Sequence, residues 1–177
     1  MSSIWWLSLG CLLVALGVGA GLRRSAVHMQ LQAAAENRRR WLALRDALQA
    51  MPQLPDVGAM VDAVKDAVAQ TTCFRAHLLL SEQGRITDDQ IAAAPFFVEP
   101  HLVGMAMRQR QRISSAALAP LGWGCAYIPF CAGKQVLGVL VLTLSEVAAW
   151  RPDELACCDI LAQCLGACIS ATIAPKT

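Results

Sequence analysis

Residues Gly122–Leu144 read GWGCAYIPFCAGKQVLGVLVLTL, and this stretch decides how the rest of the chain is organised. Two apolar runs, 124–130 and 136–142, flank a short polar break, Cys131-Ala-Gly-Lys-Gln. The pattern predicts a β-hairpin, with Gly133 free to take the positive φ that a tight turn requires. The second run is almost wholly apolar and rich in Val and Leu, as in strands covered on both faces. Gly138 inside it predicts a close approach to the backbone. Pro129 cannot donate to a sheet ladder, which places that part of the first strand at an edge or an end.

Working outward, Pro152–Ile173 reads as a closing helix, with Pro152 in its first turn and Asp153 and Glu154 at its positive end. Leu161, Cys164, Leu165, Cys168, Ile169 and Thr172 form its expected apolar stripe. Upstream, 56–71 is an amphipathic helix with Val57, Met60, Val61, Val64 and Val68 on one side. The run 73–81, CFRAHLLLS, reads as a strand. Phe74, Ala76, Leu78 and Leu80 are expected on one face, and Cys73, Arg75, His77 and Leu79 on the other. Glu82-Gln-Gly84 is a turn, with 85–87 a short returning strand. Residues 88–95 are weakly specified. Residues 100–111 read as a short helix burying Leu102, Val103, Met105 and Ala106, and Ile113 opens a brief strand.

The hairpin and closing helix resemble the second half of a GAF domain. The resemblance is carried by Ile128, Pro129, Phe130, Gly133, Val136, Leu137, Gly138, Val139 and Leu140, and spans about residues 55–174. It implies an α+β domain with a mainly antiparallel sheet of five or six strands. Helices 56–71 and 152–173 would lie on one face and a variable lid region on the other. It also implies a pocket under the lid, for which Arg75, His77, His101, Met105 and Tyr127 are the candidates. The first and closing helices of such domains often form a dimer surface. Trp41, Leu44, Leu48, Leu161, Cys164 and Cys168 are the corresponding partner-contact candidates. The signature of cyclic-nucleotide GAF domains and a bilin-type Cys-His pair are both absent. The catalytic cysteines of GAF-type free methionine sulfoxide reductases do not map onto Cys125 and Cys131.

Ahead of this unit, Ile4 to Leu22 carries no charge over 19 residues, about the length of a membrane-crossing helix. Trp5 and Trp6 sit at one end and Arg23 and Arg24 at the other. This predicts a retained anchor over 1–25 in a bacterial inner membrane, with the N-terminus periplasmic and the rest cytoplasmic. A cleaved signal peptide fits less well, since no basic region precedes the apolar run. Residues 26–54 are rich in Ala, Gln, Arg and Leu and read as a linker helix with a partial heptad, suited to a short coiled coil. Pro52 and Pro55 end it.

The apolar fraction of 56% and the positive mean hydropathy accord with an anchor. The net charge of +2 comes from scattered basic residues and does not point to a nucleic acid. Eight cysteines occur without a CxxC pair, so core-filling thiols are expected rather than a zinc site or a secreted disulfide framework. Phosphate loops, HExxH helices and Ser-His-Asp sets do not occur. No cofactor is named by the sequence and no catalytic or metal residue is assigned. With no second domain behind the GAF-like unit, the expected role is a non-catalytic sensor or regulator acting through a protein partner, in a homodimer or a hetero-complex. The alternative is a scaffold subunit with a vestigial pocket.

Overall fold

The computed structural model describes residues 29–115, 124–144 and 151–173. The chain divides into two units, 1–39 and 40–177. In the first, the described residues 29–39 are helical and exposed. The proposed membrane segment, 4–22, lies outside the described residues. Helix α1 covers 29–50 and is followed by one 3-10 turn, Met51–Gln53.

The second unit holds α2 (Val57–Thr71), β1 (Phe74–Leu80), α3 (Asp88–Ala92), α4 (Pro100–Gln109), β2 (Ile113–Ser114), β3 (Cys125–Ala132), β4 (Gln135–Leu144) and α5 (Pro152–Ile173). Among the described residues the sheet has four strands, ordered β1-β4-β3-β2, all antiparallel. The expected five or six strands are therefore reduced to four. One reason is local: 85–87 does not return as a strand, and only an isolated bridge, Glu82 to Arg85, closes the turn there.

The hairpin forms as its composition requires. Ala132 pairs with Gln135 across a two-residue turn, and Gly133 takes φ +58°. Both strands run closer to the turn than the polarity break suggests. Val139 to Leu142 are fully buried. Pro129 lies beyond the two residues that β2 pairs with, so its missing N–H costs no ladder bond. At Gly138 an added Cβ would meet Leu79 O and the Phe130 ring, which accounts for the glycine.

Alternation along the strands separates two cores. On one face α2 and α5 cover Phe74, Leu78, Ala126, Ile128, Phe130, Leu140 and Leu142. On the other, α4 and the preceding loop cover Leu79, Tyr127, Val139 and Val141. The stripe of α5 is rotated from the sequence reading: Cys158, Leu161, Ala162, Leu165, Gly166 and Ile169 are buried, while Thr172 is exposed. This helix is long and apolar enough to cross a membrane, but those side chains pack on the sheet and mark it as a core helix.

The domain core also reaches into the segment read as a linker. Leu44 and Met51 are buried in the α2/α5 core, with Ala47, Leu48 and Leu54 packed beside them. The second compact unit begins at Arg40.

Candidate functional site

The lid-side face is built in cross-strand ranks. Arg75, Thr143 and Cys125 form one, and His77, Val141, Tyr127 and Ile113 the next. Leu79, Val139 and Pro129 follow. Helix α4 lays Leu102, Val103 and Ala106 over the apolar ranks, and Val98 closes the cluster. Pro100 in its first turn, free of the N–H an interior helix residue would need, sets the helix start.

Tyr127 is fully buried, and its hydroxyl accepts a hydrogen bond from Glu99 N at 3.0 Å, at the N-cap of α4. Burial pushes its phenol up, and the Glu99 N–H opposes that shift in part. Beside it, burial also pushes the Cys125 thiol up, against hydrogen bonds from Thr143 and Tyr127. Cys125 Sγ donates to Phe97 O at 3.5 Å. Ser115 Oγ accepts from Cys125 N at 2.9 Å. The polar groups at this end of the sheet are therefore taken up within the domain, and they tie the loop before α4 to β3.

Of the five pocket candidates, the fold brings Met105 and Tyr127 into one cluster. His77 stands at its rim, edge-on to Phe96 with ring centroids 6.3 Å apart. Burial lowers the His77 pKa, with Lys65 adding to the effect. Arg75 is on the same face but exposed, and the His101 side chain, 64% exposed, lies 3.7 Å from Glu99. Cys73 departs from the expected face. It precedes β1 and packs on the α2/α5 side.

That side holds a polar contact the sequence reading missed. Glu154 is 3% exposed in the first turn of α5. It pairs with Arg40 of α1 at 2.7 Å and lies 3.8 Å from Arg151. Its other oxygen accepts from Cys73 Sγ at 3.4 Å. The acidic start of α5 was legible as a dipole partner, but nothing local showed that a residue 114 positions away would reach it. A second missed feature, α3, did leave a signal: Thr87 and Gln90 form a capping box, the T-x-x-Q spacing of such caps.

Among the partner-contact candidates, Trp41 is 58% exposed, whereas Leu44 and Leu161 belong to the domain's own core. Cys164 and Cys168 are half-buried on α5.

Two outcomes follow from this geometry. Tyr127→Phe leaves the Glu99 N–H without its acceptor and should cost about 1–2 kcal/mol in a denaturant titration. Faster amide exchange in α4 should accompany the loss. The thiols give a pH dependence. Burial raises Cys158 from 9.0 to about 12, and Cys164, also beside Cys168, to about 11. The unfolded chain sheds these protons near pH 9 while the folded chain holds them, so fewer protons are bound on unfolding and stability falls as pH rises. Melting temperature should decline from about pH 9 to about pH 11 and beyond, and Cys158→Ala should flatten the slope.

Solved structures share this architecture. The chain is similar to the GAF domain of a phosphoenolpyruvate-protein phosphotransferase from Coxiella burnetii, at 19% identity over 77% of this chain and 95% of that one, with a TM-score of 0.59. It is similar to the GAF domain of the potassium sensor histidine kinase KdpD from Escherichia coli, at 11% identity over 73% and 92%, TM-score 0.61. It is also similar to fRMsr of Staphylococcus aureus in its reduced form, at 11% identity over 73% and 94%, TM-score 0.52. No protein-family model and no curated protein matches the sequence. The domain has a GAF-like fold.

Proposed function

We propose that the chain is a non-catalytic regulatory module that acts through a protein partner, held at a bacterial inner membrane by residues 4–22. Its GAF-like domain would lie in the cytoplasm. The observation that carries this reading is the pair of exposed apolar side chains Trp41 and Leu42 on α1. The same helix is fixed to the domain by Leu44 in the core and by the Arg40–Glu154 ion pair. A partner seated on Trp41 would therefore bear on the domain itself. Isolated exposed apolar residues are ordinary, but an adjacent Trp–Leu pair on a rigidly seated helix suits a partner helix. On α5, Ile160 is 41% and Ile173 66% exposed. The GAF domain of a sensor histidine kinase among the similar structures accords with a sensory or regulatory role.

A second reading, a scaffold with a vestigial pocket, is favoured by the filling of the lid side. Met105, Met107 and Phe96 pack against the buried cluster there. Native mass spectrometry of the purified protein separates the two. A small molecule released on denaturation supports the regulatory module, and a chain that releases none, with its partner bound, supports the scaffold. Retention of a partner by Trp41→Glu at the wild-type level would sink the proposed contact.

A further inference from the structure

Two thiols of α5 stand one helical turn apart and meet. Cys164 Sγ and Cys168 Sγ are 4.0 Å apart, and both side chains are half-buried. The sequence Cys-Leu-Gly-Ala-Cys sets this spacing, since residues four apart share a helix face. A disulfide here would strain the helix. It needs Cβ atoms about 3.8 Å apart, whereas i,i+4 Cβ atoms in a helix are about 5–6 Å apart. Gly166, between the two, seats α5 close against the hairpin: an added Cβ would stand 2.4 Å from Cys131 O.

A metal ion requires no such closure. With a metal–sulfur distance of about 2.3 Å, two sulfurs are about 3.8 Å apart at a tetrahedral angle and about 4.6 Å apart when linear. The observed separation of 4.0 Å corresponds to a bent S–metal–S angle of about 120° at this bond length. Among the described residues no group of three or more His, Cys, Asp or Glu side chains converges, so a four-ligand zinc centre has no donors here. Both thiols pack beside the α2/α5 core, and Ala167 and Ala171 on the same helix are exposed.

We propose that Cys164 and Cys168 form a two-thiolate site for a soft cation of the Cu(I) type, the ion class that thiolates select. Binding breaks two S–H bonds, forms two S–Cu bonds and releases two protons to solvent. Copper enters and remains as Cu(I), so no electron is exchanged.

The test is an anaerobic titration of the reduced full-length protein, in detergent, with Cu(I) buffered by bicinchoninate. One equivalent per chain is expected. Cys164→Ser and Cys168→Ser should each weaken binding at least 100-fold, while Cys131→Ser and Cys157→Ser leave it unchanged. A second readout needs no variant: Cu(I) loading of the wild-type protein should protect Cys164 and Cys168 together from alkylation, read on peptides by mass spectrometry. Undiminished affinity in Cys164→Ser, half an equivalent per chain, or protection falling on other thiols would overturn the assignment.

Discussion

Arg40→Ala should destabilise the domain by about 3 kcal/mol, because it leaves Glu154 buried without its main counter-charge. Removing one member of a buried ion pair costs about 3–5 kcal/mol. The lower end applies here, since Arg40 retains 25% side-chain exposure and Arg151 lies 3.8 Å from the same oxygen. For a protein of this size the change corresponds to a fall of roughly 6–12 °C in Tm. The double variant Arg40→Ala/Glu154→Gln should recover part of the loss, because it also removes the stranded charge. Equal melting of Arg40→Ala and wild type would mean that Glu154 is solvated and that α1 is held by apolar contacts alone.

Gly166→Ala should also be strongly destabilising, against the usual sign. In an open helix the change is favourable by about 1 kcal/mol. At this position the new methyl would stand 2.4 Å from Cys131 O, 2.8 Å from Cys131 N and 3.0 Å from Cys131 C. These are backbone atoms at the register shift between Phe130 and Cys131, where β3 meets α5. They cannot swing aside as a side chain could. Overpacking costs of about 1–3 kcal/mol, and occasionally more, are typical where surroundings are fixed, and a net loss of about 2 kcal/mol is expected by chemical denaturation. A stabilised Gly166→Ala would show that α5 lies farther from the hairpin than the structure places it.

These two sites show which parts of the fold the sequence carries openly. The hairpin was legible because its turn glycine, its apolar run and Gly138 all follow from local rules. Helices α2 and α4 were legible from their stripes and α5 from its proline and acidic start, whereas α3 and the exact stripe of α5 were not. The Gly166 contact was hidden, since a glycine within a Cys- and Ala-rich helix has no periodic signature, and its partner lies in another element. Arg40 and Glu154 were equally hidden: the charge of Arg40 reads as part of a basic run beside Trp41, and only packing turns it toward α5. The same limit applied to the candidate pocket. Alternation along β1 grouped His77 with Leu79 on one strand face, and no such pattern was read along β3. The sequence could not show that Tyr127 would spend its hydroxyl on Glu99 N, or that His101 would face solvent directly beside the buried Leu102 and Val103 in the chain.

The claim at the centre of this account is that the domain acts through a protein seated on α1. The most direct test is purification of the tagged full-length chain from its own host in gentle detergent, beside Trp41→Glu, with mass spectrometry of what accompanies each. The account predicts a membrane-fraction protein carrying a partner in fixed stoichiometry, with that partner lost from the Trp41→Glu variant while the variant's melting curve is unchanged. A chain that purifies alone, or a partner held equally by both forms, would contradict it.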